Sequence, residues 1–192
     1  MQRSCRNIRN SALGFAGALM MVTACSSTQV APYPARWPPL STLSMLDCAT
    51  VTGRYSDNGE NAEPSLARFT LILFGFQSPW PDATEVSLQV DEDTIHVTIF
   101  GAQNVLLAKS FTAAAGDYTC DAGVVVLHTR TKAVGEGVSG DQTATLRLLP
   151  QQDGYLVVHA AAIIGGWQMV IPATWSTDSW ARFSKVDPSM ES

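Results

Sequence analysis

From residue 86 onward apolar side chains recur at every second position. Val86, Leu88 and Val90 alternate with Ser87 and Gln89, and Ile95, Val97 and Ile99 alternate with His96 and Thr98. A period of two places one apolar row on one side of an extended strand. The two runs, joined by the acidic turn Asp91-Glu92-Asp93, predict a hairpin with one buried and one wet face. Further strands are predicted at 105–111, 123–131, 142–149, 155–163 and 167–171, with a last short one near 180–183. The separators are turn chemistry: Ala115-Gly116-Asp117, Gly135-Glu136-Gly137, Pro150 to Gly154, and Gly165-Gly166. Seven to nine short strands at this spacing predict a mainly β domain, an antiparallel meander forming a small barrel or a sandwich.

Upstream the pattern changes. Asp47 to Tyr55 reads as a turn-rich lead-in, followed by the polar run Ser56-Asp57-Asn58-Gly59-Glu60. Ser65 to Phe76 is a dense apolar block in which Leu66, Phe69, Ile72, Leu73 and Phe76 fit one helical face. Pro64 and Ser65 suit a helix start, so one short helix is expected here. A strand is the alternative, since the same residues have good β-propensity.

The first 24 residues have a different design. Arg3, Arg6 and Arg9 precede an apolar run from Ala12 to Val22, about eleven residues long. That is the length of a secretory h-region and well short of the ~20 residues a spanning helix needs. The segment closes on Val22-Thr23-Ala24-Cys25, which resembles the lipobox of bacterial lipoproteins. The resemblance implies cleavage between Ala24 and Cys25 and acylation of Cys25. Two or three acyl chains anchor stably, whereas one is marginal. Ser26 follows the cysteine where an aspartate retains Gram-negative lipoproteins in the inner membrane, so the resemblance implies the outer membrane, on its periplasmic face. The organisation expected is thus a cleaved signal at 1–24, a lipidated proline-rich tether at 25–39, and a β-rich domain at 40–192. Pro32, Pro34, Pro38 and Pro39 favour an extended spacer. Tyr33 and Trp37 either meet the lipid interface or pack on the domain.

Charge narrows the partners. Loss of the signal leaves nine basic residues against 17 acidic ones, a net charge of −8. No Lys/Arg cluster offers a nucleic-acid or anionic-lipid patch, so the lipid anchor is the expected membrane contact and no nucleic-acid partner is expected. Cys5 leaves with the signal and Cys25 takes lipid. Cys48 and Cys120 remain, and in an oxidising compartment they are expected to form a disulfide, two buried free thiols being the alternative.

Catalytic motifs are scarce. The chain has no Gly-x-Ser-x-Gly elbow, no His-Glu-x-x-His and no phosphate-cradling glycine loop. His96, His128 and His159 lie on three predicted strands without ligand spacing, so no metal or other cofactor is expected. Asp91 and Asp93 sit in a turn where solvation is the ordinary role. Trp80, Trp167, Trp175 and Trp180 fall near strand ends, where they either line a barrel mouth suited to an apolar or sugar-like ligand or pack as loop cover.

Cys48, Gly53-Arg54-Tyr55 and Asn58-Gly59-Glu60, with Tyr118-Thr119-Cys120, Asp153-Gly154-Tyr155 and Trp180-Ala181-Arg182-Phe183, resemble the pattern of a group of uncharacterised proteobacterial lipoproteins over residues 45–187. That likeness implies a location and no activity. Gly53-Arg54-Tyr55 is also similar to the Gly-x-Trp opening of lipocalins, an analogy of architecture alone. The expected role is a non-enzymatic binding or envelope-structural module. The alternatives are a carrier of a small apolar ligand in a barrel cavity and a hydrolase of envelope polymers whose carboxylates converge in the fold.

Overall fold

The predicted hairpin forms as β4 (Glu85–Asp91) and β5 (Thr94–Phe100), with Val86 opposite Ile99 and Leu88 opposite Val97. In this computed structural model, which describes residues 30–41, 47–62, 66–75, 79–135, 138–168 and 171–186, that apolar row is buried at Val86, Leu88, Ile95, Val97 and Ile99 and half-buried at Val90. Gln89 and His96 face water. Each aliphatic side chain so buried stabilises the fold by roughly 1.5–3 kcal/mol. β1 (Gly53–Ser56) pairs with β4, and β6 (Val105–Thr112) with β5, to complete a four-stranded sheet.

The second sheet has seven strands. In spatial order they are β3 (Leu66–Arg68), β2 (Asn58–Asn61), β11 (Ile171–Ser184), β10 (Tyr155–Gln168), β9 (Val138–Pro150), β8 (Val124–Gly135) and β7 (Tyr118–Asp121). All pairings are antiparallel. Leu127, Leu146, Leu148, Leu156, Val158 and Phe183 form its inner row and share one core with Val86, Leu88, Ile95 and Val97 of the smaller sheet. Among the described residues the domain is mainly β, with two antiparallel sheets and no closed barrel. The sheets touch at one corner, where Tyr55 bridges Lys185 and the Val186 N–H donates to the Arg54 carbonyl at 2.8 Å.

Among the described residues eleven strands replace the seven to nine expected, because 53–61 is itself paired as β1 and β2 and the short segments Leu66–Arg68 and Tyr118–Asp121 pair as β3 and β7. Tyr55 is the reason β1 holds: its ring is 2% exposed and its hydroxyl donates to the Val51 carbonyl at 2.9 Å. Burial pushes its pKa up to about 12. Phe69 meets that ring edge-on and stacks on Phe183 at 4.6 Å, which welds the two sheets. The block at 65–76 divides between both readings: Leu66–Arg68 is β3, and Phe69–Phe74 is the short helix α1. Arg68 sits in extended backbone, and Gly75, at φ +80°, ends the helix in the left-handed region. Phe76 lies outside the described residues.

Gly165-Gly166 is not a turn. Both glycines lie inside β10, and Gly166 pairs with Gly140 of β9 so closely that a Cβ on either would sit 2.7 Å from the other's Cα. The glycines serve a close backbone approach, the other use of glycine in a strand. Gln168, one residue past Trp167, therefore ends β10 and Ile171 opens β11, in place of a separate strand at 167–171.

Residues 30–41 lie on the outer face of the large sheet instead of extending freely from it. The Ala31 N–H donates to Asp178 Oδ1 at 3.0 Å, and Trp180 Nε1–H donates to the Ala31 carbonyl at 2.8 Å. Tyr33 packs edge-on against Trp180 and Trp37, and Trp37 is 4% exposed under the Arg182 guanidinium. The Ser41 N–H reaches Gln151 Oε1 at 3.0 Å. Proline fixes φ along this path, and the chain turns once, where the Trp37 N–H donates to the Pro34 carbonyl at 3.1 Å.

Candidate functional site

Small side chains on the inner face of the large sheet leave a space beneath α1. Leu146 and Ala144 of β9, Ala160 and Ala162 of β10, and Ser179 of β11 floor a groove of about 410 Å³. Leu71 and Ile72 of α1 form one wall, and Ala67 and Arg68 of β3 continue it. The helix stands off because alanines occupy the register positions where neighbouring rows carry leucine: Ala160 lies opposite Leu146, and Ala162 opposite Ala144. The groove opens along β11, since β2 pairs only with Ala181 and Arg182 of that strand. Its lining is mostly apolar, with Asn61, Arg68, Gln142, Thr177, Asp178 and Ser179 as polar points, the carboxylate at the edge where the groove opens along β11. That is the chemistry of a small-molecule site for an apolar body with one or two polar groups.

Arg68 is fixed by Asp57, which is fully buried at the bend between β1 and β2. Arg68 Nε and Nη2 donate to Asp57 Oδ2 at 2.8 and 2.7 Å, and Asp57 Oδ1 accepts from the Thr70 N–H at 2.7 Å. Arg68 Nη2 also donates to the carbonyls of Trp80 and Ala83. One guanidinium thus ties together the bend, the start of α1 and the loop before β4. In the sequence Asp57 is one of the polar run Ser56–Glu60, and a single Asp in such a run carries no signal of its buried role.

On the opposite face of the same strands, His159 Nε2 lies 2.8 Å from Asp178 Oδ1, and its ring stacks on Trp180 at 4.3 Å. A His–Asp pair supports nucleophilic catalysis when the second ring nitrogen serves a nucleophile. Here Asp178 also receives the Ala31 N–H and Trp180 covers the imidazole, so the pair serves to hold the N-terminal segment. His96 faces Ser110 Oγ at 2.8 Å and Asp91 at 3.5 Å on the smaller sheet, and His128 is exposed on β8. The three histidines do not meet. Among the described residues no three His, Cys, Asp or Glu side chains gather as a metal site.

The tryptophans do not share a mouth either. Trp80 packs edge-on against Phe74, Trp180 clamps the N-terminal segment, and Trp167 is 55% exposed at the far end of β10. Cys48 and Cys120 are bonded, with Cα atoms 6.1 Å apart, as the cysteine count led us to expect. Ala24 and Cys25 lie outside the described residues. No family model matches the chain, and searches of the curated proteins and of the solved structures returned no match.

Proposed function

We propose that the chain is a lipid-anchored lipoprotein on the periplasmic face of the outer membrane, acting without catalysis as a binding or envelope-structural module. The observation that carries this reading is Val22-Thr23-Ala24-Cys25 at the end of a short apolar run headed by three arginines. The Cys48–Cys120 bridge supports it, since such a bond persists in an oxidising compartment. Replacing Cys25 with serine is expected to abolish incorporation of labelled palmitate and to move the secreted protein from the membrane pellet to the soluble fraction. A Cys25→Ser protein that stays in the pellet overturns the anchor.

A second reading, a carrier of a small apolar ligand, draws on the groove under α1 in place of the barrel interior first expected. Ala162 is 7% exposed in the groove floor, so Ala162→Phe fills the space with a ring. Native mass spectrometry of the wild type should then show a bound apolar molecule that the variant lacks. An identical spectrum from both proteins removes the carrier reading.

A further inference from the structure

The far end of the β10–β11 hairpin differs from the rest of this acidic chain. From Ala160 to Gln168 and from Ile171 to Thr177 there is no charged side chain. Ile163 and Trp167 are each 55% exposed there, two of the five large apolar side chains that stand in solvent among the described residues. Both occupy odd positions of β10, the phase of His159, and so lie on the outer face that also receives the N-terminal segment.

The direction of that segment matters. Ala31 sits beside Asp178 and Trp180, Arg36 bonds the Asn61 carbonyl, and Ser41 reaches Gln151. Asn61 pairs with Ala181, and the Gln151 N–H bonds the carbonyl of Tyr155, which is paired with Ser184. The segment thus runs along β11 in the same sense, and followed backwards it heads for the end that carries Trp167. Val30, 69% exposed, is the first step on that path. Six residues separate Ala31 from Cys25, a reach of about 20 Å when extended. Six strand positions separate Asp178 from Pro172, the partner of Trp167, again about 20 Å.

We propose that the uncharged outer end of the β10–β11 hairpin, led by Ile163 and Trp167, rests in the headgroup layer of the same bilayer that holds the acyl chains of Cys25. The inference rests on the reading of Cys25 as lipidated. It makes the domain a membrane-apposed body held at two points, in place of one suspended on a long spacer. Trp is suited to this position because its ring is apolar while its indole N–H remains in the hydrated layer. The hairpin segments themselves carry none of the mature chain's net charge of −8; on the neighbouring β9 the same face carries Asp141, opposite Gly165, and that carboxylate is paired with Lys132 of β8 at 2.6 Å.

The test uses the full mature protein in phosphatidylcholine vesicles whose acyl chains are brominated, with tryptophan emission as the readout. Wild type is expected to show a quenched, blue-shifted component, and Trp167→Thr is expected to lose it while remaining bound to the vesicles. Ile163→Glu, which places a charge on the same face, is expected to weaken the quenching of Trp167. Vesicle-bound, acylated protein whose quenching is unchanged by Trp167→Thr overturns the hairpin contact alone. Protein that carries no acyl chain on Cys25 and stays in the supernatant overturns the anchor, and this inference with it.

Discussion

Removing the Cys48–Cys120 bridge by serine at both positions is expected to lower stability by about 4 kcal/mol, the chain-entropy value for a closed loop of this size. The two cysteines are 72 residues apart, and the loop between them holds the whole smaller sheet together with β2, β3 and α1. Cys48 opens a short 3₁₀ turn, Cys48–Val51, whose Asp47 side chain accepts from the Ala49 N–H. Cys48 and Val51 are buried in the common core. Cys120 is exposed on β7, a four-residue edge strand paired only with β8. Core burial of the 3₁₀ turn therefore persists without the bridge, while the unfolded chain regains the freedom of the long loop. Urea unfolding should show a lower midpoint and a steeper dependence, since the unlinked unfolded state exposes more surface. A loss below about 1 kcal/mol would show that the reduced unfolded chain retains structure across that loop.

The alternating runs were legible because one face of each strand is buried and the other wet, so burial wrote itself into the period. Val86 to Ile99 is the clearest case; in β8 and β10 the runs Val124–Leu127 and Leu156–Val158 are continuous, so they marked strands without fixing which face is buried. The legibility fails where the reason for a residue lies across space. Gly165-Gly166 has the composition of a turn, and only the opposing Gly140 explains two glycines within a continuous strand. The four residues of β2 are polar, yet they pair on both sides, with β11 and β3, so a segment without apolar alternation is still a strand. The N-terminal prolines said nothing of the turn at Pro34–Trp37 or of the Trp180–Asp178 clamp that receives the segment. For the candidate groove, alanines at 144, 160 and 162 carry no signal of their own in the sequence. Their meaning appears only when α1 is placed above them.

Arg68→Ala is expected to destabilise the domain by about 3–5 kcal/mol, the range for breaking a buried ion pair by deleting one partner. Asp57 is 0% exposed and would keep only the Thr70 N–H as partner for its carboxylate, while the Trp80 and Ala83 carbonyls would each lose a donor. The position makes the loss consequential, because Asp57 lies where the chain passes from β1 of one sheet to β2 of the other. Its own N–H and carbonyl bond Thr84 and Phe69, so the bend, α1 and the start of β4 share one polar centre. Asp57→Ala should cost less than Arg68→Ala, since the freed guanidinium is one-quarter exposed and can be hydrated, although the Thr70 N–H is then left buried without its acceptor. The double variant should recover part of the Arg68→Ala loss by removing the stranded charge, and urea titration of all four proteins reads the coupling directly. Additive losses would show that the pair contributes no interaction beyond its separate contacts. Arg68 also lines the groove, and Asp57, which it holds, caps the Thr70 N–H at the start of α1, so the same substitution loosens the helix that walls the groove. The corner that joins the two sheets and the wall of the candidate binding groove are therefore held by one side chain.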